Sequence, residues 1–144
     1  MIKIEINQQD GKKIEEAKLK KIVERTLGAV GVKNAAVSIA VIGDEEMKKM
    51  NNFYRGKNKT TDVLSFTYES YKSGFKKPLF GEIVICYPQA VRQAKQQKHG
   101  VVEEIKMLLV HGALHLAGYD HEKSLKEARI MEDLQNKMVK LLNS

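Results

Sequence analysis

Three of the chain's four histidines fall in one short stretch, His111-Gly-Ala-Leu-His115-Leu-Ala-Gly118-Tyr-Asp-His121. An α-helix turns once per ~3.6 residues, so an interval of four stacks His111 and His115 on one face. Gly118 can then leave the helix in a left-handed conformation, and the chain can turn back to bring His121 toward the first two. Three imidazoles converging from a helix and its exit loop make an open site for one zinc ion, with a fourth position left for water or substrate. That arrangement suits a catalytic metal rather than a sealed structural one. It also dictates the fold around it: Met107, Leu108, Leu109, Val110 and Leu114 cover most of the same helix's circumference, which places it at the centre of the molecule.

The spacing is that of the long zinc-protease motif His-Glu-x-x-His-x-x-Gly-x-x-His, a metzincin-like metal geometry. One residue is missing: the motif's glutamate, the general base that activates water, is replaced by Gly112. General acid–base assistance is typically worth ~100- to 10,000-fold, or roughly 3–5 kcal/mol of barrier. The ligand spacing is kept while the peptidase's base is gone.

The rest of the chain bounds the setting. Its 144 residues suit a single domain, 1–144, built round one real core, with no polar linker or internal repeat to divide it. No apolar stretch is long enough to span a bilayer. The N-terminus alternates like a strand, Ile2-Lys3-Ile4-Glu5-Ile6, and lacks a signal-peptide core, so a cytoplasmic location is expected. The single cysteine, Cys86, excludes an internal disulfide and ends the apolar run Ile83-Val84-Ile85, which reads as a buried strand position. A formal net charge of +7 suits a polyanionic partner, although Lys12-Lys13-Ile14-Glu15-Glu16 has the mixed pattern of a solvated helix face.

Periodicity predicts strands over 2–6, 35–42, 62–67 and 79–86. Helices are expected over 12–27, from an Asp44 N-cap to Tyr54, from Pro88 to Lys98, over 102–116, and from a Ser124 N-cap to Leu142, with Glu127 at the capping-box position. Residues 69–78 form a polar connection and the segment most apt to move. Helices and strands mix without strict βαβ repetition, so the fold class is α+β, one mixed sheet of about four strands packed with helices.

Other residues carry weaker signals. His99 lacks partner spacing and reads as a surface or helix-end histidine. Asp120 and Glu122 flank His121, where either can orient an imidazole or accept a proton, or simply be solvated. Tyr119 can touch substrate or pack. Arg55, Lys57 and Lys59 share one loop; a guanidinium is a planar bidentate donor suited to phosphate, but a charged loop is equally consistent with solubility.

Two further stretches join the histidine motif in a resemblance. The His111–His121 stretch is similar to the signature of the YbeY family, bacterial rRNA maturation factors regarded as metal-dependent endoribonucleases. Tyr54-Arg55-Gly-Lys-Asn-Lys-Thr-Thr61-Asp62-Val-Leu-Ser-Phe66 resembles the family's second motif, and Gly81-Glu82-Ile83-Val84-Ile85-Cys86 its third. Thr67 stands where the second motif usually has proline, and Glu82 replaces the usual aspartate. The resemblance implies zinc on His111, His115 and His121, with Arg55 at the cleft as a catalytic residue. It also implies an α+β fold and action on precursor ribosomal RNA and defective ribosomes.

The expected chemistry is therefore metal-assisted phosphodiester cleavage in single-stranded RNA. Arg55 would stabilise developing charge, and Lys57 and Lys59 would hold the backbone as substrate-binding residues. Expected partners are ribosomal RNA and the small ribosomal subunit, without membrane or DNA. Water and the RNA's own 2′-hydroxyl both stand as nucleophiles. Two rivals are a metallopeptidase of the same three-histidine geometry, with Asp120 or Glu82 as base, and a non-catalytic, zinc-stabilised ribosome-binding module.

Overall fold

The computed structural model describes residues 1–68 and 78–143. Strands and helices follow in the order β1 (Ile2–Gln8), α1 (Glu16–Ala29), β2 (Ala35–Ile42), α2 (Asp44–Arg55), β3 (Val63–Thr67), β4 (Leu79–Cys86), α3 (Tyr87–Gln97), α4 (Val101–Leu116) and α5 (Leu125–Leu142). The sheet order is β1-β2-β4-β3. β1 runs parallel to β2 and β2 to β4, while β3 is antiparallel to β4 and forms an edge. This is the expected α+β fold with a mixed four-stranded sheet. No helix among the described residues is long and apolar enough to cross a membrane.

Strand alternation divides the core in two. Val37, Ile39, Val41, Ile83 and Ile85 point to one face, where α1, α4 and α5 bury residues such as Leu27, Leu109 and Met131. On the other face Ile42, Leu64, Val84 and Cys86 gather under Met47 of α2. Cys86 is fully buried there, as its place in the apolar run predicts. Helix α4 packs against α1, α3, α5, β3 and β4 and is central in the expected sense.

Two glycines let α4 lie close on β4. A Cβ at Gly112 would come within 2.9 Å of Ile83 Cγ2, and a Cβ at Gly81 within 2.8 Å of Leu116 Cδ2. Each element supplies a glycine where the other supplies a branched side chain. The helix end that carries the histidines is thereby fixed in height above the sheet.

Some boundaries differ from expectation. Helix α1 starts at Glu16 rather than Lys12. The Gln8 side chain explains this: its amide donates to the Ile14 carbonyl and accepts from the Ile14 N–H, both at 2.8 Å. That pairing holds Ile14 as a strand neighbour would and keeps it out of the helix. Asp44 is the first helical residue, and Gly43 occupies the N-cap. The Asp44 carboxylate instead accepts from both terminal nitrogens of Arg92 at 2.7 and 3.0 Å, tying α2 to α3. Ser124 does cap α5, accepting from Glu127 N–H at 3.1 Å. His99 sits at the α3–α4 junction, as a helix-end residue should, with Nε2 2.7 Å from the buried Glu104 carboxylate. The polar connection expected over 69–78 lies, up to residue 77, outside the described residues.

Candidate metal centre

The last turns of α4 carry His111 and His115. The helix then ends by hydrogen-bonding its final carbonyls: Gly118 N–H donates to His115 O at 3.0 Å and Tyr119 N–H to Leu114 O at 3.1 Å. This pattern needs a left-handed residue at its bend, and Gly118 has φ of 101°. Tyr119 packs against the core at the bend, which turns the following residues back along the helix.

His121 thereby meets the other two. The ring centroids lie 4.8, 5.1 and 5.0 Å apart, and one potential ligand nitrogen from each ring lies within 4.8 Å of the others. His115 Nε2 and His121 Nδ1 are 3.1 Å apart. Zinc–nitrogen bonds of ~2.0–2.1 Å in a tetrahedral set put ligand nitrogens about 3.3 Å from one another. One pair is already near that spacing, and the third nitrogen lies within 4.8 Å of both. The donor set fits a metal ion.

His115 is also in the right protonation state. Burial, reinforced by the neighbouring His111 and His121, pushes the His115 pKa down to about 4, so the ring is neutral at pH 7. His111 Nδ1 lies 2.9 Å from Gln135 Oε1 on α5. An amide oxygen only accepts, so Nδ1 carries the hydrogen and Nε2 keeps its lone pair for a ligand.

The histidines open into a cleft of about 620 Å³ whose far wall is β3. Arg55, Asp62, Ser65, Tyr119, Asp120 and Lys123 are among its lining residues. Arg55, which lines the cleft, is the last residue of α2, and Gly56 ends that helix in a left-handed conformation. Lys57 and Lys59 are exposed and do not line the cleft. Their loop hangs on buried Asn51, whose amide donates to Lys59 O at 2.8 Å. Lys123 is the lysine that does line it. Asp120 and Glu122 also line the cleft; Asp120 Oδ1 accepts from Glu122 N–H at 2.9 Å and so shapes the loop.

Three residues escaped the sequence reading. Gln135 lies on an ordinary amphipathic helix and gives no signal, because its role depends on how α5 packs. Lys123 is one charge among many. Asp62 fell within the second motif without a role; its carboxylate accepts from Val63 N–H at 2.7 Å and from Gln93 Nε2 at 3.3 Å.

Two positions weighed for a general base are elsewhere. Gly112 is buried against Ile83 of β4, so a side chain there would run into the sheet. Glu82 alternates with Ile83 and lies on the opposite face of the sheet from α4, accepting from Tyr68 Oη at 3.1 Å. It does not serve the histidine cleft.

Residues 3–143 match a family model described as endoribonuclease YbeY. An endoribonuclease YbeY of Aquifex aeolicus is 39% identical over 132 residues, spanning 92% of this chain and 87% of that protein. One from Sulfurihydrogenibium sp. is 42% identical over 127 residues, spanning 88% and 83%. A solution structure from Thermotoga maritima has a TM-score of 0.63 at 28% identity and covers 99% of this chain and 89% of its own.

Proposed function

This chain belongs to the endoribonuclease YbeY family, and on that premise we propose that it cuts single-stranded regions of precursor ribosomal RNA at a zinc ion held by His111, His115 and His121. The observation that carries the reading is the shared cleft: three convergent imidazoles on one wall and the Arg55 guanidinium on another.

A divalent ion at the three nitrogens would supply Lewis acidity, polarising a phosphoryl oxygen and making water a better nucleophile at neutral pH. The chain's own residues do the rest. Gln135 holds His111 in the ligating tautomer. Arg55 presents a planar donor to the phosphate, where charge builds in the transition state. Lys123 adds a second positive charge to the cleft. Asp62, Asp120 and Glu122 are the carboxylates that line the cleft and are candidates to take up a proton. Lys57 and Lys59, outside the cleft, hold the flanking backbone by sequence-independent contacts.

A peptidase reading loses support from Gly112, since the position of the peptidase's base faces the sheet. The positive net charge suits ribosomal RNA, the small subunit and the quality control of defective ribosomes in the cytoplasm.

The test is Arg55→Glu. Cleavage of a single-stranded ribosomal RNA fragment should fall by about 100- to 1000-fold, as for loss of a donor to developing charge, with metal content unchanged. Loss of stoichiometric metal in that variant contradicts the role of Arg55. Product ends distinguish the nucleophile: a 2′,3′-cyclic phosphate shows attack by the RNA's own hydroxyl.

A further inference from the structure

Exposed aromatic rings run in a strip just outside the cleft. Phe53 and Tyr54, at the end of α2, are 81% and 58% exposed. Their ring centroids lie 4.8 Å apart at 83°. Tyr54 lies another 4.8 Å from Phe66 of β3. Phe66 and Tyr68 are two residues apart in an extended segment and share a face. Tyr68 is 65% exposed, and its N–H donates to the carbonyl of Phe80, itself 41% exposed. Single exposed apolar residues are ordinary, whereas a contiguous group marks a binding surface.

The strip and the cleft share their walls. Arg55 lines the cleft while its neighbour Tyr54 packs on Phe66. Ser65 of β3 faces the cleft, and Phe66 points to the other side of the same strand. β3 is the edge of the sheet, so a chain held at Arg55 need only cross that edge to reach the rings.

Resting on the proposed RNA substrate, we infer that this strip is a base-stacking platform for unpaired nucleotides flanking the cut. Every base has a π-face, so aromatic platforms bind single strands with little sequence preference. Charge sets the boundaries. The loop after Arg55 carries exposed Lys57 and Lys59 on one side. On the other, Glu82 adjoins Tyr68, and the groove beyond it is lined by Glu5 and Glu46. A polyanion is attracted on the β3 side and repelled beyond it, which favours RNA over a purely apolar protein partner at these rings.

Binding of the full chain to a short single-stranded RNA and to an abasic oligonucleotide of equal length tests this, with chelator present to prevent cleavage. Stacking should favour the RNA by about 5- to 150-fold for each stacked base. Phe53→Ser combined with Tyr54→Ser should cut that preference by about 5-fold or more, the share of at least one stacked base, and leave abasic binding unchanged. Phe53→Trp supplies a single indole in a chain with no native Trp, and its emission should be quenched by RNA but not by the abasic strand. A wild type that cleaves RNA yet binds both strands alike, or serine variants that keep the preference, overturns the platform alone and leaves protein docking as the use of the strip. A wild type that neither binds nor cleaves single-stranded RNA overturns the platform together with the proposed substrate.

Discussion

Gly112→Ala adds one methyl group to the helix that carries the histidines. At a solvent-exposed helical site this change stabilises by about 0.8–1 kcal/mol. Here the new Cβ would lie 2.9 Å from Ile83 Cγ2 and 3.4 Å from both Cδ1 and Cγ1, where carbon pairs prefer ~3.5–4.0 Å. Ile83 is fully buried and cannot swing into solvent, so α4 must lift from β4. Overpacking of this kind typically costs about 1–3 kcal/mol. The net expectation is a loss of about 1 kcal/mol despite the better helix former. Urea unfolding with chelator present isolates the effect from metal binding: the midpoint should fall at constant m-value. In an Ile83→Ala background, which removes all three contacting carbons, the same substitution should stabilise, giving a coupling of about 1–3 kcal/mol. If Gly112→Ala stabilises both backgrounds equally, the close approach of α4 to β4 is wrong. So is the explanation of why no glutamate stands at 112. A glutamate there would drive a carboxylate into the sheet, at a cost of several kcal/mol, rather than toward substrate.

Gln135→Leu should weaken metal binding by about 10- to 100-fold while the fold is kept, read by competition with a chromogenic chelator; unchanged affinity removes Gln135 from the centre. The metal-free protein should also be pH-sensitive through His115. Its folded pKa of about 4 lies below the ordinary 6.5, so between these values the unfolded chain takes up a proton that the folded one refuses. Stability is complete above 6.5 and falls as pH drops toward 4. Chelated His115→Gln protein should lose that slope in pH-dependent urea melts, and a slope of equal size in the variant assigns it to another group.

Local signals carried much of this structure. The Ser124 cap, the Val63–Thr67 and Leu79–Cys86 strands and the apolar girth of α4 are encoded by adjacent residues, and each element forms within a residue or so of where its pattern predicts. The histidine spacing was legible for the same reason, since helix pitch and one glycine suffice to bring His111, His115 and His121 together. Misreadings arise where a distant group intervenes. Gln8 reaches forward to hold Ile14 out of α1, Arg92 takes the carboxylate of Asp44, and Gln135 arrives from a helix beyond the motif. The meaning of Gly112 changed most. In sequence it marks an absent base; in the fold it marks the point where α4 touches β4.

Metal titration of stripped protein, with RNA cleavage measured in the same samples, tests the centre of this mechanism most directly. Cleavage of single-stranded ribosomal RNA should be absent without metal, rise with added zinc and saturate at one ion per chain, and His115→Ala protein should neither bind the ion tightly nor cut. Stripped protein that cuts as fast as loaded protein, or His115→Ala protein that binds and cuts like wild type, contradicts catalysis at the three histidines.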